Sequence, residues 1–137
     1  MAITIRRVAY FYTTAPDRPG EAYRLLSDLA SLNVDLLAFT AVPIGPSRTQ
    51  LALFPSDETL LTRAAEKSGL DLDGPHWALL VQGDDEIGAL ARIHERLYQA
   101  EVNVYAASGV TDGRGGFGYV IYVRPDQFDQ AAAALDL

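Results

Sequence analysis

The sequence repeats itself at a spacing of 68 residues. Placing each residue against the one 68 positions later needs no gap from Val8 to Gly69. Identical residues fall at Asp17/Asp85, Gly20/Gly88, Arg24/Arg92, Leu29/Leu97, Val34/Val102, Ala38/Ala106, Val42/Val110, Gly45/Gly113, Ala64/Ala132 and Ala65/Ala133. The apolar pattern and the order of predicted strands and helices agree in the same register. The chain is therefore predicted to hold two copies of one unit, residues 1–74 and residues 75–137.

The first copy has the pattern of a βαββαβ unit. Ile3–Thr13 is rich in β-branched and aromatic residues and is predicted as a strand. Apolar residues at helical spacing predict a helix from Arg18 to about Leu32, with Asp17 placed to cap it. The remaining predictions are a strand at 34–42, a strand at 48–54, a helix that Ser56 or Asp57 caps and Gly69 ends, and a short strand at 70–72.

The second copy repeats this order without a fourth strand of its own. Its predicted elements are a strand at 77–81, a helix at 86–100, a strand at 102–110, a strand at 117–123 and a helix at 127–135 that Asp126 caps. The missing strand would leave a sheet edge open beside the strand at Trp77. Residues 70–74, the N-terminal arm or a second subunit could cover that edge.

These patterns predict an α+β chain of two ferredoxin-like βαββαβ units in tandem. Each unit should have an antiparallel sheet with its helices on one face. Because this fold hosts many unrelated functions, the function has to be argued from particular sites.

Composition excludes several classes of function. The 137 residues carry a net charge of -7, and the basic residues are scattered apart from Arg6-Arg7, so nucleic acid is not an expected partner. Cysteine is absent, which removes disulfides and thiolate metal sites. The chain shows neither a signal-peptide pattern nor an apolar run long enough to cross a membrane, so we expect a cytoplasmic protein without a membrane partner.

Each copy places an Asp-x-x-Gly loop between its first strand and its first helix. A helix start offers free backbone N–H groups and positive potential, which suit a carboxylate. Asp17 and Asp85 are candidate ligand contacts and equally candidate helix caps. Gly20 and Gly88 fit either close approach of a ligand or close packing of helix on sheet. Asp84-Asp85-Glu86 would repel an anion, whereas the first loop offers Arg18, which makes the first loop the better carboxylate site and leaves the second for a cation or a structural role.

A second pair of polar residues follows the first helix of each copy. Asp35 and Asn103 lie between apolar neighbours where the next strand begins. Their side chains could accept hydrogen bonds from an ammonium group, or they could satisfy the backbone of the turn.

These residues together resemble the ACT domain, a small regulatory module that commonly binds amino acids. The resemblance is carried by Asp17-Arg18-Pro19-Gly20 with Val34-Asp35-Leu36, and by Asp85-Glu86-Ile87-Gly88 with Val102-Asn103-Val104. It covers nearly the whole chain, which resembles a stand-alone tandem ACT protein. It implies a ligand where two ACT units meet, one unit giving the loop and the other the strand, in a homodimer that regulates an enzyme or another protein. The implied contact residues are Asp17, Arg18, Pro19, Gly20, Asp35, Leu36, Asp85, Glu86, Ile87, Gly88, Asn103 and Val104.

The sequence offers no recognisable catalytic, metal or cofactor motif. The only histidines are His76 and His94, and His94 is expected at the margin of the core. The run Gly113-Arg114-Gly115-Gly116 joins two strands and lacks a P-loop lysine, so a hairpin turn is predicted. We therefore expect no enzymatic activity, no metal and no cofactor.

The aromatic residues on the predicted strands raise the question of whether their rings are exposed together on one face of the sheet. RNA-binding modules of similar topology expose such rings together on one sheet face. The rings concerned are Tyr10, Phe11, Tyr12, Phe117, Tyr119 and Tyr122. Packing under helices or at a dimer interface is the alternative that the acidic balance of the chain favours.

Two functional hypotheses follow from the sequence. The first is a non-enzymatic sensor of a small molecule such as an amino acid, bound where ACT units meet. The second is a structural or oligomerisation module that binds a protein partner and no ligand. Stabilisation by a ligand distinguishes them.

Overall fold

The computed structural model describes residues 3–137 of the chain. It contains six strands and four α-helices in an α+β arrangement, as the sequence predicts. They are β1 (Ile3–Pro16), α1 (Glu21–Ser31), β2 (Leu36–Pro43), β3 (Arg48–Pro55), α2 (Glu58–Ser68), β4 (Asp73–Asp84), α3 (Ala89–Gln99), β5 (Ala106–Thr111), β6 (Gly116–Tyr122) and α4 (Phe128–Ala134), with a 3-10 turn at Pro125–Gln127 before α4.

The first of two compact units consists of Ala9–His76. Within it β3 pairs antiparallel with both β1 and β2. One side of these strands supports α1 and α2, because apolar residues alternate along the strands and recur at helical spacing along the helices. The buried core is Phe11, Leu25, Leu29, Leu51, Leu53, Leu61 and Ala64.

The second compact unit consists of residues 3–8 together with Trp77–Leu137. Here β6 pairs antiparallel with both β4 and β5, and α3 and α4 supply the helical layer. Leu97 is 1% exposed in this core, as its repeat partner Leu29 is in the other. The core consists of Leu79, Val81, Ile93, Leu97, Val102, Tyr119, Ile121, Val123, Ala131 and Leu135.

The N-terminal arm supplies the strand that the second copy lacks. The strand order places β1 beside β4, and Ile3 and Ile5 pack against the core of the second unit. Burying these two apolar side chains and pairing the neighbouring edge removes an exposed row of backbone groups. Of the three predicted ways to cover this edge, the structure uses the N-terminal arm. The division of the chain at 74/75 stays a prediction.

Several predicted boundaries are wrong in detail. The helix predicted at 18–32 is Glu21–Ser31, and the one predicted at 86–100 is Ala89–Gln99. Leu70–Leu72 is not a strand, because Leu70 and Leu72 pack against the first core and the strand begins only at Asp73.

Two further predictions in the second copy need correction. The strand predicted at 102–110 begins only at Ala106, because the N–H of Asn103 donates to Gln127 Oε1, 3.1 Å away, and not to a strand neighbour. Asp126 does not cap the last helix, since it lies within the 3-10 turn and α4 starts at Phe128 without a side-chain cap.

The predicted ends of α2 are confirmed. Asp57 Oδ1 accepts a 3.1 Å hydrogen bond from the N–H of Leu60, and Gly69 is the C-terminal cap. None of the helices within residues 3–137 is long and apolar enough to cross a membrane.

Candidate functional site

The two Asp-x-x-Gly loops occupy equivalent places in their units. Asp17–Gly20 joins β1 to α1, and Asp85–Gly88 joins β4 to α3. All eight residues are exposed. The N–H of Asp17 donates to the carbonyl oxygen of Ser47 at 2.9 Å, and that of Asp85 donates to Gly115 at 2.8 Å. Each loop is thereby attached to the neighbouring β-hairpin.

Glycine is the N-terminal cap of both helices. Gly20 has φ 89° and Gly88 has φ 86°, a left-handed conformation that side chains with a Cβ seldom adopt. Neither α1 nor α3 has a side-chain cap, so the prediction that Asp17 caps its helix is wrong, and Asp85 does not cap α3. The helices begin one residue after the glycine because the left-handed turn redirects the chain there.

Neither glycine is required by close packing of helix on sheet. A Cβ on Gly20 would come no closer than 3.8 Å to Arg24 Nη2, and one on Gly88 no closer than 3.6 Å to Arg92 Nη1. The positive φ angle is therefore the reason for glycine, and the space above each glycine is open to solvent apart from one arginine. Arg24 and Arg92 are identical between the two copies, and this identity is the sequence signal for the shared arrangement.

The first loop already holds a carboxylate of its own. Glu21 Oε1 lies 2.9 Å from Arg18 Nη2 and 3.6 Å from Arg24 Nη2, with the Glu21 side chain only 19% exposed. Glu21 stands in the first turn of α1, where the helix dipole favours negative charge. A ligand carboxylate at this loop would compete with Glu21 for both arginines.

The second loop is built differently at this position. Ala89 replaces Glu21, and Glu86 Oε2 lies 3.5 Å from Arg92 Nη2. Ile87 is fully exposed.

The strand starts present exposed polar side chains. The carbonyl oxygen of Asp35 accepts hydrogen bonds from Ser56 N at 2.9 Å and Ser56 Oγ at 3.2 Å, so the main chain of Asp35 holds the turn while its side chain is exposed. Asn103 is likewise exposed and holds its turn through its backbone N–H. Leu36 and Val104 pack against the two cores, which leaves their backbone as the part available to a ligand.

Loop and strand start lie at opposite ends of the first unit. β2 runs from Leu36, opposite Pro55, to Pro43, opposite Thr49. The loop is attached at Ser47, beside the Pro43 end, whereas Asp35 precedes Leu36. Eight residues at about 3.3 Å each separate the two by roughly 25 Å.

In the second unit the loop and the strand start also lie at opposite ends of β5, with Asp85 attached at Gly115 and Asn103 bound to Gln127 before β5 begins at Ala106. One unit therefore does not bring its own loop and strand start together.

The histidines have structural partners. His94 Nε2 lies 2.6 Å from the hydroxyl oxygen of Tyr119, and burial raises the pKa of that tyrosine. His76 stacks on Tyr12 and lies 3.0 Å from Asp73 Oδ1. Hydrogen bonds from Tyr12 and His76 lower the pKa of Asp73.

The aromatic side chains do not form one exposed platform. Phe11 and Tyr119 belong to the buried cores, and Phe117 packs against one of them. Tyr10 stacks on the buried Phe54 with ring centroids 5.0 Å apart. Packing is thus the role of Phe11, Tyr119, Phe117 and Tyr10.

The glycine-rich segment at 113–116 is a hairpin turn, as predicted. Asp112 Oδ1 accepts hydrogen bonds from the N–H groups of Arg114 at 2.7 Å and Gly116 at 3.0 Å. These two bonds hold the pKa of Asp112 below its usual value. A phosphate site would need free N–H groups in this turn, but two of them already donate to the carboxylate of Asp112.

Comparisons with known proteins identify the fold. No protein-family model matches the chain, and no curated protein sequence matches it. Protein BT0572 from Bacteroides thetaiotaomicron is 17% identical and superposes with a TM-score of 0.81; the match covers 96% of this chain and 88% of BT0572. The ligand-free regulatory subunit of aspartate kinase from Thermus thermophilus is 16% identical, with 98% and 94% of the two chains covered and a TM-score of 0.65.

The regulatory subunit of aspartate kinase from Thermus flavus gives a similar result. It is 16% identical, covers 98% of this chain and 94% of its own, and has a TM-score of 0.64. At these identities the likeness shows the fold, which is the tandem ACT-type fold that the sequence predicts.

Proposed function

We propose that this protein is a non-enzymatic sensor that binds an amino acid between ACT units of two copies of the chain. The observation that carries the proposal is the conformation that the two loops have in common. Each exposed loop ends in a left-handed glycine that caps a helix without any side-chain hydrogen bond. The N–H of Glu21 donates to the carbonyl oxygen of Arg18 and that of Ala89 to Glu86, which leaves the next N–H groups of each first turn to face a carboxylate.

The strand starts supply the complementary chemistry. The exposed side chains of Asp35 and Asn103 offer oxygen acceptors for an ammonium group. In the first unit the loop and the strand start are roughly 25 Å apart along β2. An amino acid is too short to contact both within one unit. A second copy that places its strand start against the loop brings donors and acceptors together, which makes binding and homodimer formation interdependent.

The first loop is the proposed carboxylate site. Its basic residues are Arg18 and Arg24, which share the single carboxylate of Glu21 and for which a ligand would compete with it. The second loop carries Asp84, Asp85 and Glu86 around one arginine. Backbone at Pro19 and Gly20 would contact the ligand there. In the second loop Ile87 and Gly88 would contact a partner or a cationic ligand, with Leu36 and Val104 contributing backbone to the facing side.

The regulatory role is inferred from the fold and from the chemistry of the loops. Regulatory subunits of aspartate kinase share the fold, and we propose that this chain likewise transmits ligand binding to an enzyme or another protein in the cytoplasm. A ligand that prefers one state of the assembly shifts the population of that state by its difference in affinity.

A second candidate function is assembly without a ligand. β5 stands at the end of the strand order among the described strands, and all six of its residues are exposed, including Val110 at 75%. An exposed apolar edge strand is a ready surface for pairing with another chain.

A mixed-dimer experiment tests the proposed site. Arg18→Glu places a negative charge at the loop, and Asp35→Ala removes the acceptor at the strand start; both side chains are exposed, so folding should be retained. Homodimers of either variant should not bind the amino acid. Each mixed dimer should recover one of its two sites, because one interface then joins an intact loop to an intact strand start, while the homodimers left in the mixture stay inactive.

Two results would contradict the arrangement. Mixed dimers that bind no better than the homodimers would exclude a site shared between copies. Full binding by the Asp35→Ala homodimer would exclude the strand start from the site. A Thr62→Ala variant, which removes a hydrogen bond to the carbonyl oxygen of Glu58 on the exposed side of α2, serves as the control for changes in stability.

A further inference from the structure

We propose that a cavity on the helical side of the second unit, beside the end of the Asp85–Gly88 loop, binds a short aliphatic carboxylate. The cavity has a volume of about 480 Å³ and lies between α3, the end of α4 and the first residues of β1. That volume is within the range of small-molecule sites, roughly 300–1,000 Å³.

The floor of the cavity is aliphatic. Ile93 and Leu135 are each 3% exposed, and Ile3 and Ile5 line the side formed by β1. No hydrogen-bonding group lies among these four side chains, so the interior suits a hydrocarbon body and gains from its removal from water.

The mouth of the cavity carries two arginines and one acid. Arg92 and Arg96 lie on α3 one turn apart, and Asp136 follows α4. Arg96 Nη2 lies 2.7 Å from Asp136 Oδ2, which shows that a carboxylate can sit on Arg96 at this position. Arg92 Nη2 lies 3.5 Å from Glu86 Oε2, so a ligand carboxylate would share Arg92 with Glu86.

The ion pair between Asp136 and Arg96 is weak. The side chain of Asp136 is 87% exposed, and the backbone of Asp136 has φ 65°, in the left-handed region. An ion pair this exposed contributes little, because water and salt screen it and both side chains lose freedom. A ligand carboxylate whose body fills the apolar floor can therefore displace Asp136 from Arg96.

The first unit has a cavity at the position related by the repeat, with opposite charge. It has a volume of about 250 Å³ and is lined by Glu21, Arg24 and Asp28, which correspond to Ala89, Arg92 and Arg96. Two acids and one arginine line that cavity, so a carboxylate that has no ammonium group should bind there more weakly than in the second unit. The chain thus contains its own matched control.

Titration of the full-length protein with hexanoate tests the proposal, read out by calorimetry and by the methyl NMR signals of Ile93 and Leu135. Hexanoate should bind, and hexanol and hexylammonium should bind at least about tenfold more weakly, because charge-assisted hydrogen bonds to arginine select the anion. Arg96→Gln should weaken hexanoate by about tenfold or more. Asp136→Asn should strengthen it about two- to fivefold by removing the competing carboxylate.

Arg63→Gln, at an exposed position on α2 that lines neither cavity, is the control and should leave hexanoate affinity unchanged. The proposal is overturned if hexanoate does not shift the Ile93 and Leu135 signals, if hexanol binds as well as hexanoate, or if Arg96→Gln binds hexanoate as well as the parent chain. Because Arg96 lies outside the Asp-x-x-Gly loops, amino-acid binding at those loops should survive Arg96→Gln, so the two proposals can fail separately.

Discussion

The backbone N–H of Asp17 donates a 2.9 Å hydrogen bond to the carbonyl oxygen of Ser47, and this bond fixes the candidate loop to the hairpin between β2 and β3. Asp85 makes the same contact with Gly115, 68 residues further along. The aspartates therefore hold their loops through the main chain, which leaves their exposed side chains for other contacts.

Replacing the capping glycines should destabilise the protein through backbone strain. Gly20→Ala and Gly88→Ala should each lower the free energy of unfolding by about 1–2 kcal/mol, because alanine at φ 89° or 86° is strained while no neighbour obstructs the new methyl group. Gly20→Asn should cost less, since asparagine tolerates this conformation. Urea unfolding measures these differences, and equal losses for alanine and asparagine would contradict the explanation.

The two aspartates at the starts of α1 and α2 should differ in their effect on stability. Asp57→Ala should cost about 1 kcal/mol, because it removes the acceptor for the Leu60 N–H. Asp17→Ala should change stability by less than about 0.5 kcal/mol, because the side chain caps nothing. A loss of the same size from both variants in urea unfolding would show that Asp17 acts as a cap after all.

Acid should remove the contribution of Asp112 to the hairpin at 111–116. The folded-state pKa of Asp112 is lowered by hydrogen bonds from Arg114 and Gly116, so the unfolded chain takes up a proton at higher pH than the folded chain. The stabilisation is present above the unfolded-state value of about 3.9 and is lost as the pH falls through the folded-state pKa. Asp112→Asn keeps a hydrogen-bond acceptor without the charge. The variant should therefore be less stable than the parent chain at neutral pH, and the difference between the two unfolding free energies should disappear in acid. A difference that is independent of pH would contradict this account.

Ile87 should matter for association and not for folding. Its side chain is fully exposed, so Ile87→Ser should leave the unfolding free energy unchanged. If the second loop faces another copy of the chain, the same change should weaken self-association, which sedimentation at several concentrations measures. Tyr98→Ser, at a position 79% exposed on α3, is the matched control, and an equal effect from both would argue against a specific role of Ile87.

The sequence predicted the repeat, the element order and the cores because these depend on local patterns. Leu29 and Leu97 share a repeat position, recur at helical spacing and are buried in both units. The helix starts were placed too early because an aspartate followed by proline or glycine has the appearance of a cap, whereas the left-handed glycine ends the loop.

The roles that depend on distant pairing were harder to predict. The strand predicted at Ile3–Thr13 is already longer than the usual strand of about 5–6 residues, and this length was the sequence sign that the strand contributes to both units. The cavity beside α3 brings Ile5, Arg96 and Asp136 together from three parts of the chain, which no local pattern in the sequence indicates.

A thermal-shift screen of the purified chain against the twenty amino acids tests the central claim most directly. An amino acid at one hundred times its Kd adds about 2.7 kcal/mol of stability, which should raise Tm by roughly 8 °C in a protein of this size. We predict such a shift for one or a few amino acids and its loss in Asp35→Ala. A folded protein whose Tm responds to none of the twenty, or an Asp35→Ala variant that keeps the full shift, would contradict the account.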